Sequence, residues 1–181
     1  MDLKAEKELV KRAQNDPDAF SELYEANYSK IFGYILKRVA DIEVAQDITS
    51  ETFFKSLKNI KKFKWRNIPF SSWLYRIAGN EITDYYRKNK YTPVCLDKIP
   101  ELAYFKTPYD EVAETEKQLE FKKDFLELNK KISGLPIKYQ EVIALKFFEK
   151  KKIEEICLIL GKKEGTVKSL IHRALKKLRQ K

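Results

Sequence analysis

The run EGTVKSLIHRALKKLRQK, residues 164–181, holds six basic side chains against one acidic, a net of +5. At about 100° per residue on a helix, Val167, Ile171, Ala174, Leu175 and Leu178 cluster on one side. Ser169, His172, Arg173 and Lys176 fall on the opposite side, flanked by Lys168, Lys177 and Arg179. An apolar back with a cationic, hydrogen-bonding front suits a duplex major groove, where side chains meet base edges and cations meet phosphates. A solvated Lys-rich surface helix would show the same charge, so the preceding segment decides. There Ile153, Ile156, Cys157 and Leu160 recur at i, i+3, i+4 and i+7, an amphipathic helix. Gly161 follows and tolerates the positive φ of a helix C-terminus. A second helix is expected to start between Glu164 and Thr166. Two short helices around a glycine-containing turn have the helix-turn-helix layout.

A second constellation mixes rings with cations. Residues 55–90 carry ten basic groups against Glu81 and Asp84, a net of +8. The stretch KKFKWRN places Lys61, Lys62, Phe63, Lys64, Trp65, Arg66 and Asn67 side by side. On the helix expected after it, Trp73, Arg76, Asn80, Thr83 and Arg87 share one face, opposite an apolar stripe of Leu74, Ala78, Ile82 and Tyr85. Aromatic rings stack on unpaired bases while Lys and Arg hold phosphates. An amide such as Asn80 can read one base edge, including that of a base turned out of the stack. Core packing is the competing use of Trp73 and, less so, of Trp65.

A third face is acidic. On the helix from about Asp41 to Ile60, Asp47, Ser50, Glu51, Phe54 and Lys58 lie within about 100° of one another. Phe54 thus stands among polar groups, away from Ala45, Ile48 and Thr52. An aromatic there suits protein docking, unless a neighbouring helix of the same domain covers it.

Other chemistry finds little support. His172 is the single histidine, without nearby partners for catalysis or metal binding. Cys95 and Cys157 are the two cysteines, without CxxC spacing, which suits a reducing cytoplasm. No Gly-rich phosphate loop or nucleophile elbow occurs. No catalytic residue, metal ligand or cofactor site is therefore expected. No run approaches the roughly 18 apolar residues of a membrane span, and MDLKAEKELVKRAQ lacks the apolar core of a signal peptide. The net charge of +10 favours an anionic partner.

The elements that must position these groups are helical. Five glycines, six prolines and almost no β-branched alternation predict an all-α chain. Asp16-Pro17-Asp18 opens a helix through AFSELYEANYSKIFGYILKRV. KKFKWRNIPF breaks the period, contains Pro69 and reads as a loop; a helix from about Ser71 to Lys88 follows. Prolines at 93, 100 and 108 and a net charge of −3 over residues 97–124 mark an irregular linker, with one helix expected near its end. The reading is two small helical domains, residues 1–92 and 125–181, joined by a linker at 93–124.

Taken together, DAFSELYEANYSKIFGYILKRV, DIEVAQDITSETFFKSL, FSSWLYRIAGNEITDYYRK, LPIKYQEVIALKFFE and EGTVKSLIHRALKKLR resemble the sigma-70 family of RNA polymerase sigma factors, in its extracytoplasmic-function (ECF) class. They stand in family order and at family-like spacing. The resemblance implies that the first domain corresponds to region 2, a helical bundle, and the second to region 4, the helix-turn-helix. It implies that Asp47, Ser50 and Glu51, with Phe54 beside them, contact the coiled coil of the polymerase β′ subunit. The loop Lys62, Phe63, Lys64, Trp65, Arg66 and Asn67, with Trp73, Arg76 and Asn80, would melt and capture the −10 element. Thr166, Lys168, Ser169, His172, Arg173 and Lys176 would read the −35 element, and region 4 would dock on the β flap. Promoter DNA, core polymerase and an anti-sigma factor are the implied partners. Two departures stand out: Ser50 replaces a common Gln, and Leu170 replaces a common Arg at the edge of the apolar stripe. The loop before Phe70 does not align cleanly, which leaves the base-pocket residue open among Phe63, Lys64 and Trp65.

A dimeric helix-turn-helix regulator is the main alternative. It accounts for residues 153–179 but leaves the aromatic loop and the Phe54 face without a use. A nuclease has carboxylates enough but no organising motif.

Overall fold

A computed structural model describes residues 2–65, 67–89 and 131–180. The expected linker and Arg66 lie outside the described residues. The amino-terminal unit comprises α1 (Leu3–Ala13), α2 (Pro17–Val39), α3 (Ile42–Asn59) and α4 (Phe70–Lys88), with a 3₁₀ turn at Ile60–Lys62. The carboxy-terminal unit comprises α5 (Ile137–Ile143), a π-helical turn at Ala144–Phe148, α6 (Ile153–Leu160) and α7 (Glu164–Arg179). Among the described residues there is no strand, and no helix is long and apolar enough to cross a membrane.

Local chemistry sets the helix ends. Asp16 caps α2 by accepting the Asp18 N–H at 3.0 Å, with Pro17 at the first helical position. Asp41 caps α3 by accepting the Val44 N–H at 3.0 Å. Pro69 precedes α4 and offers no side-chain acceptor; Glu6 of α1 instead accepts the Phe70 N–H at 3.1 Å. Burial raises the pKa of Glu6 despite that bond. Glu155 accepts the Lys152 N–H at 3.0 Å, and Gly161 ends α6 with φ of +63°.

The amino-terminal core is built from Leu9 and Val10 of α1, Leu23, Ile31 and Ile35 of α2, Ile48 and Phe53 of α3, and Leu74, Ala78 and Ile82 of α4. Each large side chain so buried stabilises the bundle by roughly 1.5–3 kcal/mol. The stripe expected on α4 differs at one end: Tyr86 is buried, while Tyr85 is half-buried. The Tyr86 hydroxyl donates to the Arg38 carbonyl at 2.6 Å, in the last turn of α2, where carbonyls lack helical partners. A second core, of Ile132, Leu135, Tyr139, Val142, Ile143 and Ala174, holds α5 against α7.

The two units touch. Leu145, Ile156, Ile159 and Val167 join the amino-terminal core cluster, and the Tyr75 hydroxyl of α4 donates to Glu149. The stripe expected on α6 is accordingly displaced: Ile156 and Ile159 are buried, whereas Ile153, Cys157 and Leu160 are half-buried.

Candidate nucleic-acid interface

Phe63, Trp65, Phe70 and Trp73 form one aromatic group where the loop meets α4. The Phe63 ring lies 4.8 Å from Trp73 and 5.5 Å from Phe70, and Trp73 lies 5.5 Å from Phe70. Phe70 is buried and anchors the group; Phe63, Trp65 and Trp73 are half-buried, so part of each ring faces outward. Trp73 packs against the core while also lining a cavity. Trp65 meets Phe63 edge-on at 6.5 Å, and its indole N–H donates to Asn67 Oδ1 at 3.2 Å. Asn67 has φ of +54°, a left-handed conformation that Asn tolerates better than most residues.

A half-open cavity of about 340 Å³ adjoins these rings. Lys62, Phe63, Lys64, Trp73 and Arg76 line it, joined by Asn59, Ile68, Ser72 and Leu158. Lys62, Lys64 and Arg76 are exposed, placing cations around an aromatic wall. Ser72 is 1% exposed, and its hydroxyl has no hydrogen-bond partner among the described residues. A buried hydroxyl left unpaired costs about 1–3 kcal/mol. Asn80 is exposed one turn beyond Arg76 on α4, but does not line the cavity. Gln14 braces the loop from behind, donating to the Ile60 and Phe63 carbonyls at 3.2 Å each. No spacing in the sequence marks Gln14, Ser72 or Leu158; each reaches the site through tertiary packing.

On α3, Asp47, Ser50, Glu51 and Phe54 are all exposed, with Phe54 60% accessible, so no helix among the described residues covers it. Leu57, one turn on, and Tyr24 of α2 are also exposed, extending an apolar strip beside the carboxylates. Leu57 stands at i+3 from Phe54, a relation visible on the helical wheel. Tyr24 meets buried Phe53 at a tilt of 58°, with centroids 4.6 Å apart, and ties the strip to the core. Lys55 bridges Glu51 at 3.2 Å and Glu81 at 2.7 Å; the Glu81 hydrogen bond holds the ammonium above its usual pKa.

On α7, Thr166, Lys168, His172, Arg173 and Lys176 are exposed along one face, while Ser169 is half-buried at its edge. Val167 and Ala174 are buried, and Ile171, Leu175 and Leu178 pack against the cores. Leu170 is half-buried and packs on the carboxy-terminal core, turned away from the cationic face. Glu164 pairs with Lys168 one turn later and raises the lysine pKa through that hydrogen bond.

Residues 23–92 match the family model for sigma-70 region 2, and residues 125–178 match that for sigma-70 region 4. The chain is 33% identical to the ECF RNA polymerase sigma factor SigW of Bacillus subtilis, over 99% of this chain and 97% of that one. It is 31% identical to the ECF RNA polymerase sigma factor BldN of Streptomyces coelicolor, over 94% of this chain, and spans 63% of that protein's length. The structure of CnrH in complex with the cytosolic domain of CnrY shares its fold, with a TM-score of 0.69 at 20% identity over 97% of this chain and 96% of that one. With both conserved regions matched in order and full-length similarity to SigW, the chain belongs to the sigma-70 family of RNA polymerase sigma factors, in its ECF class.

Proposed function

We propose that this transcription initiation factor divides promoter recognition between two weak binders, each effective only when core RNA polymerase holds both. Residues 1–92 act as region 2, residues 93–124 as the linker, and residues 125–181 as region 4. Tethering raises the effective concentration of the second unit once the first is bound. Asp47, Ser50, Glu51 and Phe54 dock on the β′ coiled coil, and Leu57 extends that surface. Lys62, Phe63, Lys64, Trp65, Arg66, Asn67, Trp73, Arg76 and Asn80 open and hold the −10 element. Thr166, Lys168, Ser169, His172, Arg173 and Lys176 read the −35 element, while the second unit also docks on the β flap. The protein works in the cytoplasm without catalysis of its own, under an anti-sigma factor that masks its docking surfaces.

The observation that carries this reading is the cavity beside Phe63 and Trp73, with Lys62, Lys64 and Arg76 around it. Rings that stack on bases next to cations that hold phosphates suit an unpaired strand, and a duplex-reading helix alone needs neither. A dimeric regulator would leave this cavity and the exposed Phe54 unused. Run-off transcription with purified core polymerase on genomic fragments tests the proposal. RNA chains should start at sites that core enzyme alone ignores; no new start site on any fragment would reject it.

A further inference from the structure

The aromatic loop between the 3₁₀ turn and α4 has no ladder of its own. Among the described residues, Lys64, Trp65, Asn67 and Ile68 take part in no backbone–backbone hydrogen bond. Seven residue steps separate Phe63 from Phe70, enough to reach roughly 23–25 Å when extended. Yet the two rings lie 5.5 Å apart. The loop is bowed, and a bowed chain without internal bonds needs something to hold its ends.

Both ends are held by the same helix. Gln14, just past the end of α1, is half-buried, and its amide donates to the Ile60 and Phe63 carbonyls at 3.2 Å each, where the loop begins. Glu6, about two turns earlier on α1, accepts the Phe70 N–H at 3.1 Å, where the loop ends. Between them, Leu9, Val10 and Ala13 bury α1 in the amino-terminal core, which makes the helix a fixed reference. The two anchored residues are also the two that seat Trp73: its ring lies 4.8 Å from Phe63 and 5.5 Å from Phe70. Glu6 and Gln14 precede residue 23, where the match to sigma-70 region 2 begins, so geometry alone points to them.

We infer that Glu6 and Gln14 are positioning residues for single-strand capture, pinning both ends of the aromatic loop to α1. Phe63 and Trp73 then hold their mutual angle before a base arrives. The inference rests on the base-capture reading proposed above. Neither side chain lines the cavity; each acts through a backbone group of Phe63 or Phe70. Binding is spared the cost of ordering the loop.

The full chain tests this without polymerase. Trp65 and Trp73 are its two tryptophans, so intrinsic fluorescence reports on the loop directly. Gln14→Met keeps length and charge but removes the donor. It should raise acrylamide quenching and weaken binding of a short fluorescein-labelled single-stranded oligodeoxynucleotide at low salt by about threefold or more. Helical content, and binding of a duplex of equal length, should stay as in the wild type. Glu6→Ala and Glu6→Gln lose the same charge, but the glutamine oxygen still accepts the Phe70 N–H. The alanine variant should therefore quench more readily and bind the single strand about threefold more weakly than the glutamine variant. Unchanged single-strand affinity in Gln14→Met, where Trp73→Ala does weaken it, overturns the positioning role. An equal fall for the duplex, or equal single-strand affinity in the two Glu6 variants, also overturns it. If Trp73→Ala leaves single-strand affinity unchanged, base capture is what fails. The anchoring of the loop by α1 then stands if Gln14→Met raises quenching, and falls if it does not.

Discussion

Beside the cavity, Phe63 and Trp73 touch each other and rest on buried Phe70, with Trp65 edge-on to Phe63, whereas on α7 Thr166, Lys168, His172, Arg173 and Lys176 stand on an exposed helix face. The first region is preorganised by packing. A ring must already stand at the right angle to receive an unstacked base, and immobilising it during binding would consume affinity. The second relies on helix periodicity. A duplex presents a regular row of phosphates and base edges, so long flexible cations can adjust after docking. On the proposed reading, one chain meets one polymer in two states by two different means, and mutations should separate them.

The largest effect expected lies outside both regions. Asp47→Lys should abolish co-purification with core polymerase, weakening it by at least about 3 kcal/mol, roughly 100-fold, since an interfacial charge would be reversed. Helical content by circular dichroism should stay unchanged. Survival of the complex would reject the docking face and leave the two DNA-facing regions to account for recruitment.

Phe70→Ala breaks the comparison at its base. Removing a buried aromatic should destabilise the first unit by about 3–5 kcal/mol in urea unfolding and abolish oligonucleotide binding with it. No residue of the α7 face should behave so, because all of them are removable without opening a cavity. A stable Phe70→Ala protein that still captures single strands would show that packing does not preorganise the rings.

Trp73→Ala and Arg173→Ala sharpen the comparison at similar magnitude. The first should remove about 1–3 kcal/mol from single-strand binding through lost stacking. It should delay permanganate reactivity of exposed thymines more than it delays recruitment. The second should remove about 1–3 kcal/mol from binding of −35-containing duplex by the polymerase complex. If either substitution weakens both substrates equally, the division of labour is wrong.

Glu6→Ala is the smallest. Phe70 N–H would lose its acceptor at the start of α4, a capping loss of about 1 kcal/mol in unfolding free energy. Burial raises the Glu6 pKa, so its protonated form is favoured in the folded state, and this group's contribution to stability falls as pH rises from its unfolded pKa through its folded one. The pH dependence across that window should flatten in Glu6→Ala; an unchanged slope would remove Glu6 as its source.

Periodicity and composition alone made α2, α3, α4, the helix-turn-helix and the inward Leu170 legible, because each depends on relations within a turn or two of one helix; the exposure of Phe54 was settled only by what packs beside α3. The aromatic-cationic loop and the cationic face of α7 were visible as composition for the same reason. Ring-to-ring geometry, the brace from Gln14, the acceptor from Glu6 and the buried Ser72 were not, since they join residues far apart in the chain that no local period connects. Tyr86 rather than Tyr85 was decided by an orphan carbonyl at Arg38 on another helix. The packing of α6 on α4 is likewise a tertiary outcome: it depends on how Ile156 and Ile159 match a surface that only folding assembles.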